Sequence, residues 1–168
     1  MKTILLSAVL LTAAAPVCAY RSAELHGEWQ CNTAYPDIGA ETRDRIRFAA
    51  DGKVDVQSNI LFRFGNHTFG YRLPSVGTWQ FESRLLTLQL TDGKLQRDHD
   101  ETTRRALVEN PALRTYDLIS VKVLSSRQPG EQFFLRIDKL DGRIMKQTQL
   151  ASADGQEMAK TVCTRVMV

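Results

Sequence analysis

The chain of 168 residues is poor in most of the features that reveal a chemistry. Its three histidines, His26, His67 and His99, lie far apart and show neither His-x-His nor His-Glu-x-x-His spacing, so metal catalysis has no support in the sequence. There is no Gly-x-Ser-x-Gly nucleophile elbow and no glycine-rich phosphate loop. Carboxylate pairs of the glycosidase kind meet only in three dimensions, and they stay open. No apolar run after residue 19 approaches the roughly 20 residues of a membrane-spanning helix. The 22 basic and 19 acidic residues are interleaved, for a net charge of +3, and form no stripe that would hold a nucleic-acid backbone. Linkers rich in glycine, proline or serine are absent, as are low-complexity segments. The one internal echo, Gly27-Glu28-Trp29-Gln30 against Gly77-Thr78-Trp79-Gln80, is too short to mark a duplication. What remains reads as one domain over residues 20–168, with no cofactor expected and no catalytic constellation in view.

Residues 1–19 carry the order of a secretory signal: Lys2, an apolar run over 4–15, then Val17-Cys18-Ala19 at the cleavage site. Export to a periplasm or to the outside follows. A rival reading makes Cys18 a lipidated first residue, but Ala15-Pro16-Val17 lacks the small residue that usually precedes one. Cleavage after Ala19 leaves Cys31 and Cys163, and two cysteines in an exported chain predict one disulfide between them. Such a bridge closes a loop of about 130 residues and draws the two ends of the chain together.

Asp-Gly occurs four times, at Asp51-Gly52, Asp92-Gly93, Asp141-Gly142 and Asp154-Gly155, each between strand-like segments, which predicts up to four hairpins. Ile46 and Phe48 alternate with arginines. Val54, Val56, Ile60, Phe62 and Phe64 hold one parity, and Phe69, Tyr71 and Leu73 continue it. Strand character recurs over 79–90, 116–124, 133–137, 143–150 and 158–166. Gly65-Asn66-His67 reads as a hairpin turn, and the sequon Asn66-His67-Thr68 as a chance match. A short helix is expected near 101–109, stopped before Pro111. The fold class is therefore all-β: an antiparallel up-and-down barrel of about 8–10 strands with that one helix, or else a two-sheet sandwich with the same disulfide. Periodicity alone does not separate the two. Closure of the edges favours the barrel.

Leu25-His26-Gly27-Glu28-Trp29-Gln30-Cys31 resembles the Gly-x-Trp opening of lipocalin-like (calycin-type) barrels, and the ending Cys163-Thr164-Arg165 fits it. The resemblance implies a small bacterial lipocalin-like domain in which Trp29 plugs the closed end and Arg165 packs across it. An arginine can cover an indole while keeping its charge solvated.

Phe62, Phe64, Phe69, Tyr71 and Trp79 share a parity on neighbouring strands and are the candidate ligand-binding residues, with Tyr71 as a polar handle; ordinary core packing is the competing reading. Asp98-His99-Asp100-Glu101 is either a weak cation loop or a solvated entry to the helix. Phe134 falls on the outward parity beside Arg136 and offers a partner surface. The leading function is thus an exported binding module for a small apolar or amphipathic molecule. The alternative is a protein-interaction module, an envelope accessory protein or enzyme inhibitor, with a filled core.

Overall fold

Segments in which apolar and polar residues alternate fold as strands, because a period of two places one set of side chains on each face. The computed structural model describes residues 20–167. It contains β1 (Gly27–Tyr35), β2 (Ala40–Phe48), β3 (Lys53–Phe64), β4 (His67–Glu82), β5 (Leu85–Asp92), β6 (Gln96–Arg97), β7 (Glu131–Leu140), β8 (Ile144–Leu150) and β9 (Glu157–Arg165). Two helices, α1 (Glu101–Glu109) and α2 (Pro111–Leu124), stand between β6 and β7. The expected signal segment, with Cys18, lies outside the described residues.

The sheet runs β3-β2-β1-β9-β8-β7-β5-β4, and β4 returns to pair with β3, so eight antiparallel strands close into a barrel. Closure leaves no long edge exposed, which decides the architecture against the sandwich. The seam between the first and last strands pairs Trp29 with Arg165 and Cys31 with Cys163, and the two cysteines form a disulfide inside the barrel. Among the described residues, no helix is long and apolar enough to cross a membrane.

Three Asp-Gly pairs, Asp51-Gly52, Asp141-Gly142 and Asp154-Gly155, lie in the connections of hairpins. Asp92-Gly93 does not. There the chain leaves β5 and crosses to β6, which pairs with the part of β4 that β5 leaves bare. The β4–β5 hairpin turns instead on Ser83 and Arg84, both at positive φ, with no glycine to signal it. Arg84 is held in place by donating to the carbonyls of Ile137 and Asp138.

One end of the barrel is packed solid around Trp29, Phe48, Trp79, Leu86, Ile137 and Met145. A 3-10 turn, Ser22–Leu25, lies under it, and the Trp29 indole N–H donates to the Leu25 carbonyl at 2.8 Å. The Arg165 guanidinium stands 4.2 Å from the centre of the Trp29 rings and donates to the carbonyls of Glu24, His26 and Gly142. Gly27 has φ +108°, and a Cβ there would meet the guanidinium at 3.0 Å, so any other residue would be strained in its backbone and would push on the clamp. The second glycine of the four-residue echo answers a different demand: a Cβ on Gly77 would lie 1.9 Å from the Gln89 carbonyl oxygen of β5.

At the other end, β3 and β4 run to 12 and 16 residues, and β4 extends well past β5, which pairs with it only over Ser75–Glu82, so that the β3–β4 hairpin stands over the open end. The inner face of this projection, Ile60, Phe69, Tyr71 and Leu73, is covered by Leu113 and Leu124 of α2. The strand expected over 116–124 is therefore helix, and Pro111, expected to stop one helix, begins the second. Asn110 caps α2 by accepting from the backbone N–H groups of Ala112 and Leu113, and Pro111 fills a first-turn position that needs no N–H. The buried stripe of α2 is Leu113, Asp117, Ser120 and Leu124, while Leu118, Ile119 and Val123 face outward. With polar residues inside and β-branched residues outside, the helical period is hidden from the sequence.

Candidate functional site

The inward positions of several strands change character at one height in the barrel. Along β1 the series runs from Trp29 and Cys31 to Thr33 and Tyr35, and along β8 from Met145 to Gln147 and Gln149. In β2, Phe48 and Ile46 give way to Asp44 and Thr42; in β3, Val54 and Val56 give way to Ser58. Below the change the interior is solid core. Above it lies a chamber of about 100 Å³, room for roughly three waters, with polar side chains from β1, β2, β3, β8 and β9 and with Leu88, Leu90 and Leu135 of β5 and β7 keeping that side of its wall apolar. The chamber adjoins an apolar mouth of about 510 Å³, bordered by Ile38, Phe62, Val123, Leu124, Leu150 and Met158. Tyr35, Thr42, Ile60, Arg127, Phe133 and Gln149 line both spaces and form the neck between them.

Most polar groups of the chamber satisfy one another. The hydroxyls of Thr33 and Thr161 bond at 2.7 Å, Tyr35 donates to Gln149 Oε1 at 2.6 Å, and Thr42 donates to Asp44 Oδ2 at 2.9 Å. Two acceptors remain without a donor, Asp44 Oδ1 and Gln147 Oε1, although Gln147 is only 3% exposed. A buried acceptor left unpaired costs stability, and a ligand donor or a water recovers it. Burial raises the Asp44 carboxyl above its ordinary value, while hydroxyls from Ser58 and Thr42 and the charge of Arg127 oppose the shift. Burial also pushes the Tyr35 phenol up to about 12, with the Asp44 charge adding to it. Arg127 at the neck stacks over Phe133 at 5.1 Å and lies 3.7 Å from the Asp92 carboxylate.

A carboxyl whose pKa is higher in the folded state than in the unfolded one stabilises the fold below the unfolded value, and that contribution is lost as the pH rises through the folded value. Ionised Asp44 therefore works against folding at neutral pH. Asp44→Asn is expected to raise the melting temperature at pH 7.5 by a few degrees, the shift that goes with about 1 kcal/mol in a domain of this size. The gain should shrink near pH 3.5. Circular-dichroism melts of both proteins at the two pH values check this, and an equal gain at both would contradict it.

Of the five aromatic residues expected to line a site, Phe62, Phe64, Phe69 and Tyr71 gather at the open end, where Phe62 meets Tyr71 edge-on at 6.0 Å and Phe64 and Phe69 both contact Tyr116, while Trp79 lies apart from them. Phe62 borders the mouth. Phe64, on the projecting hairpin, stacks on Tyr116 at 4.4 Å. Phe69 and Tyr71 are buried beneath α2 against His99. Trp79 belongs to the solid core, where its indole N–H donates to the Ala49 carbonyl. All share the inward parity, but ten residues separate Phe69 from Trp79 on β4, roughly 33 Å of strand. The polar residues at inward positions were overlooked. Their signal was available, since Ser58 interrupts the apolar parity between Val56 and Ile60, and Asp44 sits two residues before Ile46.

Tyr71 is tied into a hydrogen-bonded network within the fold. Its hydroxyl donates to Asp117 Oδ1 at 2.9 Å, Arg97 Nε donates to Oδ2 at 2.8 Å, and His99 Nε2 lies 3.1 Å from Oδ1. The Gly70 N–H donates to His99 Nδ1, which assigns the ring proton to Nε2. Burial and the Asp117 charge push the Tyr71 phenol upward. This network fastens α2 to the projecting hairpin. The run Asp98-His99-Asp100-Glu101 is likewise occupied within the fold: Asp98 pairs with Arg72, Asp100 caps α1 at the Thr103 N–H, and Glu101 pairs with Arg104 and Arg105. Among the described residues no three such groups converge as a metal site. Phe134 lies half-buried on the outer face, opposite Thr87 and Leu150.

No protein-family model matches this chain, and no curated protein is significantly similar to it in sequence.

Proposed function

We propose that this protein is an exported binding module that holds a small amphipathic molecule at the open end of its barrel. The observation that carries the reading is the apolar mouth of about 510 Å³ set over a polar chamber in which Asp44 and Gln147 keep unpaired acceptors. The mouth falls within the size range of small-molecule sites, which are mostly apolar with a few placed polar groups. Affinity comes from the apolar part, about 25 cal/mol per Å² removed from water before ordering costs, and orientation comes from the head. The disulfide supports an oxidising compartment, in keeping with the expected signal.

N-phenyl-1-naphthylamine, a dye that brightens in apolar sites, tests the reading. The protein is expected to bind it, and the double variant Val123→Asp with Met158→Asp is expected to bind about tenfold more weakly or worse, since a charge in an apolar site loses more than 1.4 kcal/mol. Both side chains border the mouth and are more than half exposed, so the fold should tolerate the changes. Val108→Asp, exposed on α1, is the control. Unchanged binding in the double variant would remove the mouth as the site. A second reading, a protein-interaction module, is favoured by Leu118 and Ile119, exposed on the outer face of α2. Absence of dye binding would shift the balance to it.

A further inference from the structure

We propose that the chamber selects a head that is cationic and donates hydrogen bonds, so that the amphiphile held in the mouth is an alkylammonium or a similar primary amine; this rests on the reading of the barrel as an amphiphile-binding module. The argument starts from the two orphaned atoms. Asp44 Oδ1 and Gln147 Oε1 are both buried acceptors, and both belong to residues that line the same space of about 100 Å³. An ammonium carries three donors and no acceptor, and it is small enough for a chamber that holds roughly three waters. A hydroxyl head has a single proton to donate. A carboxylate head would set its own oxygens against the two unpaired acceptors and bring a second negative charge to Asp44.

Charge favours the same class. The groups facing Asp44 are the Tyr35 phenol, which stays neutral, the hydroxyls of Ser58 and Thr42, which donate to it without carrying charge, and Arg127. Arg127 stands at the neck and is shared with the Asp92 carboxylate at 3.7 Å and the face of Phe133. The buried carboxylate of Asp44 is therefore under-compensated, as the upward shift of its pKa reflects, and a cation entering the chamber supplies the missing partner. Holding an ionised acid there at a cost to the empty fold is the arrangement expected of a binding group rather than a packing one.

Displacement of N-phenyl-1-naphthylamine by three ten-carbon amphiphiles, decylammonium, decanol and decanoate, at pH 7.5 and below their micelle concentrations, tests the proposal. Decylammonium is expected to bind at least about tenfold more tightly than decanoate, the effect of one charge-assisted hydrogen bond. Asp44→Asn should weaken decylammonium by about tenfold while leaving decanol within about twofold, and Gln147→Met should weaken decylammonium less, by about threefold. Asp44→Asn is expected to melt higher than the parent, so a loss of affinity in it does not reflect unfolding. Equal affinity for the three amphiphiles, tighter binding of decanoate, or an ammonium preference that survives Asp44→Asn overturns the head assignment and leaves the binding module standing. Failure of all three to displace the dye overturns both.

Discussion

Replacing Cys31 and Cys163 together with alanine is expected to lower the unfolding free energy by about 2–5 kcal/mol, the range for a native bridge in a small exported domain. The two residues are 132 apart in sequence, and the chain-entropy argument places a loop of that length near the top of the range, at about 5 kcal/mol. Position adds to length. The bond joins β1 to β9, the seam that closes the barrel, and both sulfurs lie buried at the level where solid core meets polar chamber. Without it, the seam is held by backbone pairing over Trp29–Ala34, by the Thr33–Thr161 hydroxyl bond and by the Arg165 clamp. Urea unfolding of the oxidised protein and the double variant measures the difference. A change below about 1 kcal/mol would mean that the loop is already restrained in the unfolded chain.

Trp29→Ala is expected to cost about 3–5 kcal/mol, the cost of emptying a large, fully buried aromatic site. Trp29 has no exposed surface, and its indole N–H is satisfied by Leu25, so the cavity left behind would sit between the solid core and the 3-10 turn beneath it. Arg165→Ala should cost less, because water can replace the guanidinium at the carbonyls of Glu24, His26 and Gly142 near the surface. Chemical denaturation of the two variants orders the contributions. Should Arg165→Ala cost as much as Trp29→Ala, the clamp rather than the indole would be the larger element of the closed end.

The strands and the disulfide were legible because each rests on a short-range signal or a count, whereas closure into a barrel was favoured over a sandwich only by the need to cover the sheet edges. Alternation over a few residues marks a strand, Asp-Gly marks a turn, and two cysteines have one way to pair. The failures also have local causes. Ser83-Arg84 makes a turn from residues that give no turn signal, held by contacts to β7 some fifty residues away. Helix α2 buries Asp117 and Ser120 and exposes Leu118, Ile119 and Val123, because Tyr71, Arg97 and His99 wait to meet the carboxylate. Nothing within α2 itself announces those partners.

The candidate site shows the same division more sharply. By itself the sequence determined which side chains face inward, since a period of two is a property of the extended backbone and needs no neighbour. Thus Asp44, Ser58 and Gln147 were inward residues from the start, as were Phe69, Tyr71 and Trp79. Only the tertiary structure decided the height at which each inward residue sits and what lies across from it. Height is set by the stagger of strands around the closed barrel, and the covering of the hairpin by the docking of α2. Closure placed Asp44 and Gln147, on strands far apart in sequence, around one chamber, and it set Trp79 in the solid core, apart from the aromatic cluster at the open end. A strand records its two faces in its own residues, whereas a cavity belongs to several strands at once.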